Sequence, residues 1–193
     1  MIAFILLLNF IISWWNCYAV GGMWAESKAL GGFPHLLAWC AAIQSAIGFS
    51  SVIGFVIGYI AFSLGYLPPK VANGAASLWY LMIILPAIGS GLIITIHSWI
   101  ELWREPSLMN MGVTGWNTYA QIHNMYSAID GISTAFKGVD ALFDRDSGDD
   151  SGGPAVLLAI LIVALALFGG VILTTYLIKK YAGRLPMPDR VPA

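Results

Sequence analysis

The sequence predicts an all-α integral membrane protein with four transmembrane helices and an amphipathic extramembrane helix between the third and the fourth. Three observations predict it. Of the 193 residues, 59% are hydrophobic and only 10% are charged, against about a quarter charged in soluble domains, and the mean hydropathy is +0.79. The apolar residues gather into four runs, each of at least the roughly 20 residues that a helix needs to cross a bilayer. Between the third and fourth runs, apolar residues instead recur at three- and four-residue steps, the period of a single helix face.

The first span covers residues 1–20. Asn9, Ser13 and Asn16 interrupt it, and Trp14, Trp15 and Tyr18 close it with the aromatic cluster typical of the headgroup region. It has neither the charged start nor the small-residue cleavage site of a secretory signal, so it reads as a retained span. Residues 21–35 read as a short loop with Glu26 and Lys28, broken by Gly21-Gly22 and Gly31-Gly32, with Pro34 placed where a helix can begin. The second span covers 36–66. Its uncharged run would make about 48 Å of helix against a hydrocarbon core of roughly 30 Å, which requires tilt, a bend or projection from the lipid. Pro68-Pro69-Lys70 stops it and Asn73-Gly74 opens the third span, 75–99, which carries Trp79 and Tyr80 at one end and His97 and Trp99 at the other. Pro86 lies mid-span and frees the carbonyl of Met82, predicting a kink. Gly89 and Gly91 follow as a packing notch.

Residues 101–153 read as the extramembrane segment. Trp116, Tyr119, Ile122, Tyr126, Ile129, Ile132, Phe136, Val139 and Phe143 mark one helix face, with Asn117, Gln121 and Asn124 on another. Gly131 and Gly138 are expected to split this helix in two. It has almost none of the Lys and Arg that a helix lying on anionic lipid carries, so its aromatic face is expected to meet protein. An acidic, flexible loop follows from Asp144. Asp144, Asp146 and Asp149 offer oxygen ligands, but the sixth position of a calcium loop would be Asp149 instead of glycine, and no glutamate stands at the twelfth. The fourth span covers 154–178, with Ala155, Ala159, Ala166, Gly170 and Thr174 as small positions, and a basic tail occupies 179–193. Four spans put both termini on one side. That side holds Lys70, Lys179, Lys180, Arg184 and Arg190, five of the nine Lys and Arg, so both termini are expected in the cytoplasm.

One stripe organises the chain. Ala38, Ala42, Ala46, Ser50, Gly54 and Gly58 recur every fourth residue along the second span. Such a stripe lets another helix approach closely in lipid, where the hydrophobic effect does not draw helices together, and Gly54 to Gly58 has the GxxxG form. Ala42, Ala46, Ser50, Gly54 and Gly58 are therefore the expected helix-packing residues. In the string Gly115 to Tyr126, Trp116, Tyr119, Gln121, Asn124 and Tyr126 can both stack and hydrogen-bond, and are the expected contacts for a partner.

The chemistry is mostly one of exclusions. The predicted spans contain no Asp, Glu, Lys or Arg, which argues against proton relays, ion-coupled carriers and voltage sensors. There is no Gly-x-Ser-x-Gly elbow, no Walker loop and no HExxH helix, so no enzymatic activity is expected. The scattered basic residues form no stripe for nucleic acid. Cys17 and Cys40 read as small buried hydrophobes, although antiparallel first and second spans would bring them to comparable depth, where a bridge is conceivable. His35, His97 and His123 fall on one side without a carboxylate or cysteine at ligand spacing, so no cofactor is expected. The expectation is a non-enzymatic structural or assembly subunit of a homo-oligomer or larger membrane complex, with the lipid bilayer and other membrane chains as its partners. One alternative is a holin-like pore wetted by Asn9, Ser13 and Asn16. Another is a membrane subunit holding a haem, metal or pigment through His35 and His97.

Overall fold

Five uninterrupted helices account for almost all of the described residues. The computed structural model describes residues 2–143 and 152–182; the expected acidic loop and most of the basic tail lie outside them. The helices are α1 (Ile2–Leu30), α2 (Gly32–Ser63), α3 (Pro69–Arg104), α4 (Leu108–Phe143) and α5 (Gly152–Tyr181). Among them α1, α2, α3 and α5 are long and apolar enough to cross a membrane, which makes this a membrane protein.

The turns form where the backbone requires them. Gly31 and Gly32 take φ of 64° and 54°, a left-handed region that a side chain would resist, and Gly31 alone separates α1 from α2. The expected loop over 21–35 is therefore mostly helix. Gly21, read as a breaker, is a contact: a β-carbon there would lie 2.8 Å from the carbonyl oxygen of Ile178. Gly65, at φ 78°, ends α2. Tyr66 N–H donates to Ala61 O at 2.9 Å and Gly65 N–H to Phe62 O at 3.0 Å, the paired bonds of a Schellman cap. Pro69 then starts α3 at a position where its missing N–H costs nothing. Asn73-Gly74, expected to precede the helix, lies inside it, and α3 runs unbroken through Pro86.

α1, α3 and α5 run in one direction and α2 and α4 in the other. Ser13 of α1 meets Gly48 of α2 while Trp24 meets His35, an antiparallel pair. α2 and α5 are also antiparallel, with Gly54 beside Ala166 and Gly170 beside Ala46 and Ser50. α1 and α5 are parallel: Leu6 shares a groove with Ile162 and Ala166, and Gly21 meets Ile178 and Tyr181. Ile2 and Tyr181 consequently stand at opposite ends of the bundle. Four spans with termini on one side would need α1 and α5 to be antiparallel, so that expected arrangement does not fit this packing.

The difference comes from α4. It is expected in two pieces, but it is one helix of 36 residues lying antiparallel along α3. Thr114 Oγ1 donates to Ser98 O at 2.9 Å, Gln121 Nε2 to Ile88 O at 3.1 Å, and the Tyr80 hydroxyl to Ser127 O at 2.9 Å. Further along, a β-carbon on Gly74 would lie 2.7 Å from that of Leu142. The contact therefore follows the apolar stretch of α3 from end to end. Gly131 and Gly138 do not break α4, because they are its points of closest approach, facing Tyr80 and Ser77.

The interior mixes small residues with aliphatic and aromatic ones. One cluster joins Ala61, Leu67, Val71 and Ala75 to Leu142, Ala155, Ala159, Ile162 and Val163. The other joins Cys17, Val20, Ala38, Ala42 and Phe49 to Leu177 and Ile178. Leu85, Leu157, Phe168 and Ile172 point outward. That distribution suits lipid, where close packing holds helices together better than bulk does.

Candidate functional site

The small-residue stripe of α2 is occupied from within the chain. Ala42 belongs to the cluster with α1 and α5. Ala46 and Ser50 meet Gly170 so closely that a β-carbon there would lie 2.9 Å from Ser50 N and would also strike Ala46 O. A β-carbon on Gly54 would lie 3.1 Å from that of Ala166, whereas nothing comes within 4 Å of one on Gly58. Four of the five expected packing residues thus hold α2 against helices of its own chain. Gly58 stays open beside a largely apolar groove of about 440 Å³ that Phe55 and Trp79 also line.

The five residues expected to meet a partner divide between two faces of α4. Trp116, Tyr119 and Tyr126 are exposed, while Gln121 is buried and Asn124 half-buried. The outward stripe contains more than aromatic rings. Tyr119, His123, Tyr126, Asp130, Ser133 and Lys137 are all exposed and follow one another at alternating steps of four and three, the spacing of a helical seam. The His123 ring stacks on Tyr119, with centroids 6.1 Å apart.

The inward face of α4 helps to build a polar layer. After Pro86, three successive carbonyls of α3 each accept a side-chain donor: Pro86 O from Ser90 Oγ, Ala87 O from Gln44 Nε2 at 2.8 Å, and Ile88 O from Gln121 Nε2 at 3.1 Å. Gln44 Nε2 also donates to Ser90 Oγ at 2.9 Å. Polar side chains from α2 and α4 thus converge on the proline-disturbed stretch of α3, as membrane helices that carry proline tend to arrange. Gly91 is the notch the sequence suggested, since a β-carbon there would collide with Gln121 Oε1. Gln44 escaped the sequence reading. The signal was available, because it is the one carboxamide in an otherwise apolar second span.

This layer floors a cleft of about 860 Å³ between α1–α2 and α3–α4. The cleft runs from Leu30 and Pro34, beside the α1–α2 turn, down to Gln44, Gly91 and Gln121. Its size falls within the range of ligand sites.

His35 and His97 lie in separate local networks. His35 Nδ1 is 3.4 Å from Ser27 Oγ, and its Nε2 accepts from Trp39 Nε1 at 3.1 Å. His97 Nε2 is 3.6 Å from Glu101 Oε1, and its ring packs on Phe33. Among the described residues no three His, Cys, Asp or Glu side chains group as metal ligands would. Cys17 and Cys40 are both buried and unbridged. Of the three residues expected to wet a pore, Asn9 is exposed, Ser13 is buried against Gly48, and Asn16 lines the cleft, so they share no open face. No family model matches this chain, and comparison with curated proteins and with solved structures finds no significant match.

Proposed function

We propose that this protein is a non-enzymatic subunit of a membrane assembly, in which α4 crosses the bilayer beside α3 and presents its outer stripe to another copy of the chain. The observation that carries the reading is the exposure of His123, Asp130 and Lys137 on a helix packed along the whole apolar length of α3. A helix at that depth cannot turn Asp130 toward hydrocarbon without a cost of several kcal/mol, because ionisable groups in a membrane face protein or water. The four-three spacing of the stripe gives the same face the form of a helix-to-helix seam. The small-residue stripe of α2 then serves to hold the subunit itself together, with only its last position, Gly58, left for a neighbour.

The same stripe favours a second reading. When copies assemble around α4, tyrosine, histidine, aspartate and lysine side chains line a wettable path, which is what a pore requires and what α1 does not supply. Two measurements separate the readings. In mild detergent the protein should run as a defined oligomer, and Tyr126→Arg with Asp130→Arg should reduce it to a folded monomer by light scattering. An unchanged oligomer in the double variant would sink the α4 interface. Ion flux in reconstituted vesicles, lowered by Asp130→Asn, would add the pore, whereas an oligomer without flux leaves assembly alone.

A further inference from the structure

The polar floor of the α1–α2/α3–α4 cleft has a feature that assembly does not use. Gln121 is only 5% exposed, and its Nε2 is committed to Ile88 O. That bond fixes the amide orientation, because turning it over would set oxygen against oxygen. Its Oε1 is then left buried without a hydrogen-bond partner, seated against Gly91 on the cleft floor. A buried carbonyl in that state costs free energy until a donor reaches it. Gln44 stands beside it with both amide protons spent, on Ala87 O and Ser90 Oγ, so it can offer the cleft only its own carbonyl oxygen. The Thr95 hydroxyl, another lining group, is turned to Gly91 O and Asn117 O at 2.8 and 3.2 Å. The deep end of the cleft therefore accepts hydrogen bonds and donates none from these three side chains.

We propose that this cleft binds a compact, uncharged molecule bearing a hydroxyl group, an alcohol or a phenol, whose O–H donates to the carboxamide oxygen of Gln121 while its apolar body lies among Trp15, Ile94 and Trp116. The need for a donor follows from the unpartnered Gln121 oxygen beside the committed donors of Gln44 and Thr95; the carboxamides of Asn16, Asn117 and Asn124 also line the cleft. Charge is disfavoured in both directions. The described residues lining the cleft include no lysine or arginine for an anion, and Glu26, the carboxylate among them, stands at the Leu30 end, away from the glutamine floor where an ammonium would need it. The volume of about 860 Å³ exceeds the needs of a water molecule and suits a small ring system.

The test uses the full chain in lipid nanodiscs and 4-bromophenol, whose bromine quenches the tryptophans that line the cleft. 4-Bromoanisole, which has the same shape but no donor, is the control. The expected result is saturable quenching by the phenol and only linear quenching by the more lipid-soluble ether. Gln121→Leu should weaken the saturable phase roughly tenfold or more. Ala120→Leu, which fills the cleft without touching a hydrogen bond, should abolish that phase and keeps the test open if Gln121→Leu does not fold. Linear quenching by both compounds, equal saturation by phenol and ether, or saturation untouched by either variant would each overturn the proposal. None of these outcomes depends on the oligomeric state.

Discussion

Two glycines of the α2–α5 region look alike in sequence and differ in consequence. At Gly170 an added β-carbon strikes Ala46 O and comes within 2.9 Å of Ser50 N, both of them backbone atoms that cannot swing aside. At Gly58 it meets nothing within 4 Å. Gly170→Leu should therefore force α2 and α5 apart and lower stability in detergent by about 1–3 kcal/mol or more, the usual cost of overpacking, while Gly58→Leu should leave thermal unfolding unchanged. Comparing the two unfolding transitions by circular dichroism checks this, and equal losses would mean that α5 is not the partner of α2 in solution.

At the scale of the element, α4 is the helix whose role its own sequence disguises. Its aromatic period is that of a surface helix, and Gly131 and Gly138 look like interruptions, yet the α3–α4 hairpin is bonded from Thr114 and Ser98 at one end to Leu142 and Gly74 at the other. The far end of this hairpin can be tested without a partner or a ligand. A β-carbon on Gly138 would lie 2.8 Å from that of Ser77, about 1 Å closer than disulfide spacing, so α3 and α4 must ease apart slightly there to accept a bridge. Ser77→Cys with Gly138→Cys, in a chain with Cys17 and Cys40 replaced by alanine, should cross-link within the monomer on mild oxidation, detected as a mobility shift that reductant reverses. A helix standing off in water would leave these two thiols free.

For the whole molecule, the direction of α5 decides the topology. Because α5 is parallel to α1, the two ends of the bundle carry different charge. Lys28, Arg104, Lys179 and Lys180 lie at one end, against Lys70 and Lys137 toward the other. If α4 is the proposed fifth crossing, the positive-inside bias would put the C-terminal end of α5 in the cytoplasm and the start of α1 outside. Reporters fused to the two termini should therefore give opposite signals in intact cells. Matching signals would return α4 to the exterior and remove the depth argument for the α4 interface.

How far the sequence reached follows from the range of the interactions involved. Class and spans were legible, because hydropathy over some twenty residues is a local property that lipid reads directly. The small-residue stripe of α2 was legible as a packing surface for the same reason, since its period is written in one helix. Its occupant was not: Gly170 and Ala166 lie more than a hundred residues away, and nothing in either segment alone tells a neighbour in the chain from a neighbour in another copy. The polar residues of α4 show the limit most plainly. The helical period already sets Tyr119 and Gln121 on different faces, but it does not tell that the Gln121 face meets the Ile88 carbonyl while the Tyr119 face is left exposed. By itself the sequence determined that this is a helical membrane protein with small-residue contacts. Only the tertiary structure decided that α4 lies beside α3, that Gln44 and Gln121 meet on the carbonyls after Pro86, and that α5 runs parallel to α1, because each of these depends on which helices pack together and in which direction.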